Sequence, residues 1–290
     1  MTPSQIHLSE LEAHFENLFH NPDSELLEIN EYTNVGNHDY CFSSWECPSY
    51  LNEDISEVEI LNEIQQAPTK KASGTNGITN EVLKSSFGII LPFLAFLFNI
   101  CFENGVLPTA WKASYVTTLY KGKGSKTDAN SYRGISLLSC LYKIYTGIIY
   151  KRLQVWADEI LPPSQFGFRK GKSTIDAAKT LRDNIHLYVN SSSGKYYACF
   201  IDFEKAFDTV DRNLLLEKLI RYGLQGKTLQ MVRVICETNF QYIVDGGHRS
   251  REIPQSRGVA QGDKLSPMLF SLYIADMHYY LQDHNVNVIF

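Results

Sequence analysis

The chain has 290 residues, 44% of them hydrophobic and 12% aromatic, and a net charge of −5. That length holds one large domain or two of ordinary size, and that apolar content excludes a disordered chain. Its six cysteines, at 41, 47, 101, 140, 199 and 236, form no CxxC pair, which excludes a zinc ribbon and a thioredoxin-like site and reads as reduced thiols of an intracellular protein.

The opening residues, MTPSQIHLSELEAHF, carry no basic n-region and no apolar h-region, so no signal peptide is expected. Residues 1–66 contain no Lys or Arg and 14 Asp or Glu. Within this acidic extension Leu8, Leu11, Phe15, Leu18 and Phe19 recur at helical spacing and predict a short amphipathic helix. The stretch 21–53 is rich in Asn, Ser, Asp and Glu and reads as loop or linker. Ser56 and Glu59 form a capping box that opens a second helix over 56–66. Residues 68–78 are turn-rich and basic, and helices are expected at 79–86 and 90–103. The longest apolar run, FGIILPFLAFLFNICF, contains Pro92 and Asn99 and falls short of the ~18 residues of a membrane span. A buried helix is expected there, and no membrane partner.

Further along, β-prone runs at 114–120 and 131–138 flank a basic Gly/Lys/Ser loop, a hairpin signal. Helices are predicted over 141–156 and 173–188, and a strand over 198–203 with Asp202 in its middle. Asp211 reads as an N-cap, 214–222 as its helix and Gly223 as the C′ residue. A hairpin is expected near 239–253, turning at Asp245-Gly246-Gly247. Ser266-Pro267 opens a helix running to about 282, and 287–290 begins a strand-like run.

Three stretches carry chemistry. Residues 112–172 hold 11 Lys and Arg against 3 Asp and Glu, a net of +8, which is the footprint of phosphate contact or else a solvated basic face. Lys121, Lys123 and Lys126 sit at the hairpin tip, with Arg133 on the return strand; Arg offers a bidentate fork to phosphate and Lys a mobile point charge. In SRGVAQGDKLSP, Gly258 and Gly262 allow close backbone approach by a ligand, and Gln261 offers a donor and an acceptor. In ACFIDFEKAFDTVDR, a carboxylate inside an apolar run needs compensation. GFRKGKST contains Gly-Lys-Ser but has three residues between its glycines, and no strand precedes it, so it does not read as a P-loop; a basic, Gly-containing loop still offers backbone N–H groups to phosphate.

Taken in order, TNGITNEVLK, WKASYVTTLYKGKG, NSYRGISLL, QFGFRKGKSTIDA, FIDFEKAFDTVD and VAQGDKLSPMLF resemble successive blocks of a non-LTR (LINE-type) retrotransposon reverse transcriptase, from about residue 68 onward. The resemblance implies an α+β right-hand polymerase: fingers over 67–180 and a partial palm over 181–290, behind the acidic, mainly helical and loop extension of 1–66. It implies RNA-directed addition of dNTPs to a DNA primer on an RNA template, with two Mg²⁺ ions. Asp202 would be the catalytic carboxylate and a metal ligand, with the Phe203 backbone carbonyl beside it. Phe207 would lie beneath the incoming sugar. Arg133, Lys121, Lys123, Gln261 and Gly262 would hold the nucleotide, and Gln165, Arg169, Lys170 and Lys172 the template. Glu204 would lie at the surface, and Asp208 would fix the turn. Gly134 stands where the family usually has Pro, and Asp263-Lys264 where it often has Cys-Pro. The family's next block, an aromatic-Ala-Asp-Asp turn with the remaining metal carboxylates, is absent from these residues, and so is a thumb. The expectation is therefore a polymerase portion inactive alone, in a nuclear or cytoplasmic ribonucleoprotein; the alternative is a non-catalytic remnant that binds nucleic acid or a partner through its basic fingers. The oligomeric state is not implied.

Overall fold

A computed structural model describes residues 5–20, 26, 46–190, 195–237, 239–284, 286 and 288–289. The loop expected over 21–53 lies largely outside the described residues, as does part of the run expected at 287–290.

Ten α-helices and a five-stranded sheet follow from the described residues. Helix α1 spans Leu8–Phe19, α2 Glu57–Gln66, α3 Asn80–Asn104, α4 Thr109–Lys112 and α5 Cys140–Ile160. Helices α6 (Thr174–Val189), α7 (Arg212–Arg221), α8 (Gly226–Cys236), α9 (Leu265–Tyr273) and α10 (Asp276–Asp283) complete the set. Strands β1 (Ala113–Tyr120) and β2 (Tyr132–Leu137) make the predicted basic-tipped hairpin, with Leu119 opposite Arg133. Strand β3 (Asn239–Asp245) pairs in parallel with β1, placing Tyr115 beside Tyr242. Strands β4 (His248–Arg249) and β5 (Ile253–Gln255) both pair antiparallel with β3. Gly246 and Gly247, both at positive φ, make the tight turn that the Asp-Gly-Gly sequence predicts.

Several helix starts obey local chemistry. The Ser56–Glu59 capping box is formed in both directions, Ser173 caps α6, and Asp211 Oδ1 accepts the Leu214 amide at 2.9 Å. Gly223 closes α7 at φ 90°.

The sheet and helices bury two apolar clusters. The larger joins α2, α3, α5, α7, α8 and α9 around Tyr145, Ile148, Ile149 and Trp156. In it Phe98, Trp111 and Tyr145 meet at ring-centroid distances of 5.1–5.8 Å. The smaller cluster lays Leu11, Phe15, Leu18 and Phe19 of α1 against Val116, Tyr132, Ile243 and Ile253 of the sheet. The helix inside the acidic extension is thus a packed layer of the sheet.

Four expectations need correction. First, a single helix, Asn80–Asn104, replaces the two expected at 79–86 and 90–103: Pro92 removes one donor, yet the helix runs through it. Second, that helix buries Asn80, Leu83, Leu94, Phe98, Cys101 and Phe102, while Ile89, Phe93 and Phe96 face solvent. By length and composition it is, among the described residues, the one helix long and apolar enough to cross a membrane. Third, no strand forms at 198–203; the segment is exposed and irregular, with Phe200 84% exposed. Apolar alternation selects residues fit for a sheet but does not supply the neighbour whose N–H and C=O groups complete the ladder. Fourth, the helix expected over 266–282 starts at Leu265 and breaks between Tyr273 and Asp276. Lys218 Nζ donates there to Tyr273 O at 2.7 Å and pairs with Asp276 at 2.8 Å, satisfying one helix's end and the next one's first turn.

Candidate nucleotide and template site

Two irregular segments converge beside the β1–β2 hairpin. One is the turn 203–210. Lys205 sits at φ 52°, and its carbonyl accepts the amides of Asp208 and Thr209 at 2.9 and 3.1 Å. The other is the loop 256–264 between β5 and α9. The two are stitched by Val259 N donating to Phe207 O at 2.8 Å and Gly258 N donating to Val210 O at 2.9 Å. Gln261 adds a side-chain bond, its Nε2 donating to Asp208 Oδ2 at 2.8 Å. The loop is joined to the sheet as well, because Ser136 N in β2 donates to Gln261 O at 2.8 Å. Gly262 lies at φ 135° against that strand, and a Cβ on it would stand 2.5 Å from Ser136 O. The sequence expected Gly258 and Gly262 to admit a ligand; in the fold their close neighbours are the chain's own backbone, Phe207 O and Asp208 O for Gly258 and Ser136 O of β2 for Gly262.

Phe207 is half-buried. Its ring lies 5.4 Å from that of Phe270 and 6.0 Å from that of Phe168, and Phe270 also meets Phe203 at 5.9 Å. Only the Phe207 and Phe270 rings lie near parallel, at 34°; Phe168 and Phe203 meet them edge-on. Asp208 is largely buried, and burial pushes its carboxyl up to about 6 against the opposing pull of the Gln261 bond and of Lys205, Lys121 and Arg257. The charge of all three cations is felt at this one carboxylate, and Gln261 bonds it directly. The backbone amide of Asp208 closes the turn on Lys205 O, while its carboxylate holds Gln261 instead. On the far side His14 of α1 faces the same cations; burial first, then Lys205 and Lys121, hold its imidazole below the ordinary histidine range.

The remaining expected nucleotide contacts lie along the hairpin. Lys121 donates through Nζ to Asn130 O at 2.6 Å, closing the base of the loop. Lys123 and Arg133 are exposed. The expected template residues split into two kinds. Gln165 is buried and bonds Gly167 O and Ser271 Oγ. Arg169 pairs with Asp158 at 3.0 Å and donates to the carbonyls of Asp158, Leu161 and Pro162 at the end of α5. Lys172 donates to Pro163 O at 2.9 Å and lies over the Phe166 ring. Of the four, Lys170 alone is exposed. Gln165, Arg169 and Lys172 shape the turn that presents it.

Asp202 and Phe203 are exposed on the irregular segment before the turn, and Glu204 is exposed as expected. Among the described residues no group of three His, Cys, Asp or Glu side chains could hold a metal ion. One carboxylate and one carbonyl leave most of the six oxygen positions of a Mg²⁺ shell unfilled. The described residues do not by themselves make a metal centre, and the compensation expected for a buried Asp202 is not needed, because Asp202 is solvated.

Sequence reasoning missed two residues that organise the site. Arg212, the first residue of α7, is buried and donates to the carbonyls of Gly258, Gln255, Arg257 and Glu237 at 2.8–3.3 Å. Burial pushes its guanidinium down to about 10, still charged at neutral pH. Arg257 donates to Leu18 O at 2.7 Å and Asn17 O at 3.2 Å in α1. No local signal marks either one, since each acts on carbonyls far away in the chain.

A mixed sheet with helices, joined by an aromatic-lined turn and a glycine loop beside a basic hairpin, is consistent with a polymerase-like fold. Residues 122–290 match the family described as reverse transcriptase (RNA-dependent DNA polymerase), and the chain belongs to that family. Its curated relatives are reverse transcriptases of non-LTR retrotransposons. It is 31% identical to the RNA-directed DNA polymerase from mobile element jockey of Drosophila melanogaster, over 94% of this chain and 29% of that protein. It is also 31% identical to the probable RNA-directed DNA polymerase from transposon BS of the same species, over 81% of this chain and 26% of that protein. The Pol polyprotein from type-1 retrotransposable element R1 of Bradysia coprophila is 30% identical over 78% of this chain and 22% of its own length. The chain thus spans less than a third of these relatives. Reverse transcriptases as a family work with divalent metal ions.

Proposed function

We propose that this chain is the fingers and part of the palm of a retrotransposon's right-hand polymerase, which extends a DNA primer with dNTPs along an RNA template. The observation that carries the reading is the junction of Gln261 with Asp208 at 2.8 Å, made beside Phe207 and within reach of the charge of Lys121, Lys205 and Arg257. A planar ring, an amide and a concentration of positive charge suit a sugar, a base edge and a triphosphate. In this reading Phe207 underlies the sugar, and a 2′-hydroxyl meets the ring. Lys121, Lys123 and Arg133 neutralise the phosphates. Gln261 and Gly262 border the nucleotide and its templating partner. Lys170, on the turn built by Gln165, Arg169 and Lys172, meets the template backbone. Asp202 and the Phe203 carbonyl are the chain's share of a divalent-metal site, with Mg²⁺ the proposed ion.

The test is primer extension on primed RNA by the polypeptide that contains residues 1–290, with Asp202→Ala and Phe207→Val. The reading expects Asp202→Ala to abolish extension and Phe207→Val to raise ribonucleotide incorporation relative to dNTPs. Extension that survives Asp202→Ala sinks it. A second reading, non-catalytic nucleic-acid binding through the basic hairpin, draws on the exposure of Asp202 and on the absence of a metal cluster among the described residues. Residues 1–290 alone then bind primed RNA with affinity that falls steeply with salt and add no nucleotides.

A further inference from the structure

The loop 255–258 is gripped from two sides. From below, the Arg212 guanidinium takes the carbonyls of Gln255, Arg257 and Gly258 at 2.8–3.1 Å. Among the described residues it has no carboxylate at ion-pair distance, so its charge is met by backbone dipoles alone. From above, the loop reaches the last turn of α1. Ser256 N donates to Phe19 O at 3.1 Å, Ser256 Oγ to the same oxygen at 3.2 Å, and Arg257 to Leu18 O and Asn17 O. These carbonyls are the acceptors that a helix leaves open at its C-terminus, where a cation is also favoured by the helix dipole. The helix in turn is locked to the sheet by Leu11, Phe15, Leu18 and Phe19. Immediately downstream of this grip Val259 N bonds Phe207 O, and two residues further on Gln261 bonds Asp208.

We propose that Arg212 and Arg257 form a two-sided clamp that makes helix α1 a positioning element for the Gln261–Gly262 loop. The sheet holds α1, α1 holds Arg257, and Arg257 with Arg212 fixes the backbone on which Gln261 is presented. The consequence for a nucleotide rests on the function proposed above; the mechanical coupling does not. Arg212 and Arg257 act through Gln261 and are positioning residues.

Hydrogen exchange on residues 1–290, read by peptide, tests the coupling with Arg257→Ala, Arg257→Lys and Arg251→Ala. Arg251 pairs with Glu16 of the same helix at 2.6 Å but is exposed and off the loop, so it is the control. The clamp requires Arg257→Ala to speed exchange of the Gly258 and Val259 amides as well as the last turn of α1, by about tenfold or more, the scale of one lost charge-assisted bond. Arg251→Ala leaves 256–262 unchanged. Arg257→Lys, which keeps one donor, gives a smaller increase; it also decides the matter if the alanine variant unfolds. The proposal is overturned if exchange rises in α1 alone, if Arg251→Ala loosens the loop as much, or if Arg257→Lys matches wild type. A fluorescent dNTP titrated into the same proteins separates the two claims. Weaker binding that tracks loop exchange supports both. If the wild type binds no nucleotide, the nucleotide reading fails while the exchange pattern still decides the clamp.

Discussion

Gln261 reaches across 2.8 Å to donate its amide hydrogen to Asp208, and that bond ties the glycine loop to the turn after Phe207. It is a bond to a carboxylate that burial disfavours as an anion. The pair therefore links the geometry of the site to pH.

The first prediction concerns that link. Asp208 has its carboxyl raised from 3.8 to about 6. A group that holds its proton more tightly when folded stabilises the fold at low pH. The stabilisation is lost as pH rises from about 4 to about 6, and nothing further changes above that. Asp208→Asn keeps an oxygen for Gln261 and removes the titration. Relative to wild type, the variant gains roughly 2–3 kcal/mol of stability between pH 4 and pH 7. Urea melts across that range measure it, and a wild-type-to-variant gap that is the same at both ends would falsify the assignment.

The second concerns the close approach at Gly262. Alanine there is strained at φ 135° and brings its methyl to 2.5 Å from Ser136 O, a backbone atom that cannot swing away. Gly262→Ala costs about 2 kcal/mol or more, from strain and displacement together. It also shifts the backbone NMR signals of Ser136 and Gln261. An unchanged unfolding midpoint with unmoved signals contradicts the contact.

The third concerns α1. Phe15 is fully buried against the sheet. Phe15→Ala costs about 3–5 kcal/mol, the usual sum of lost transfer energy and cavity. Glu12→Ala on the same helix costs within about 0.5 kcal/mol. Chemical denaturation of both variants distinguishes a packed layer from a loosely attached extension, for which the two costs would be alike.

The fourth concerns the irregular segment before the turn. Tyr197 and Phe200 are 85% and 84% exposed, and Ile201 lies beside them. A β-prone apolar run without a partner invites pairing between molecules. Phe200→Lys lowers light scattering and dye binding at high protein concentration and shifts stability by less than about 0.5 kcal/mol. Equal scattering from both proteins would mean that this segment does not drive association.

What the sequence revealed was what neighbours in the chain decide among themselves. The Ser56–Glu59 box, the Asp211 cap, Gly223 and the Asp-Gly-Gly turn each need only residues within a few positions, and all four formed. Family blocks located the turn and the glycine loop, but not the bond between Gln261 and Asp208, which joins residues 53 apart. Arg212 and Arg257 stayed invisible because their partners are carbonyls, which every residue carries. The strand expected at 198–203 failed for a related reason: its residues are suited to a sheet, and no described strand lies beside them. The break after Tyr273 depends on Lys218, 55 residues away. The role of α1 lay in its apolar spacing, although its acidic surroundings pointed to a linker.

The parallel pairing of β1 with β3 has a consequence for how the chain is born. Ser114 and Gln241, bonded across that pair, lie 127 residues apart. At ribosomal speeds of about 5–20 residues per second, β1 waits roughly 6–25 seconds for its parallel neighbour. Through that interval the β1–β2 hairpin can close by itself, while α1 has no Ile243 or Ile253 to pack against. Helix α1 thus leaves the ribosome well before its seat exists, and its apolar stripe is an early place for a chaperone to bind.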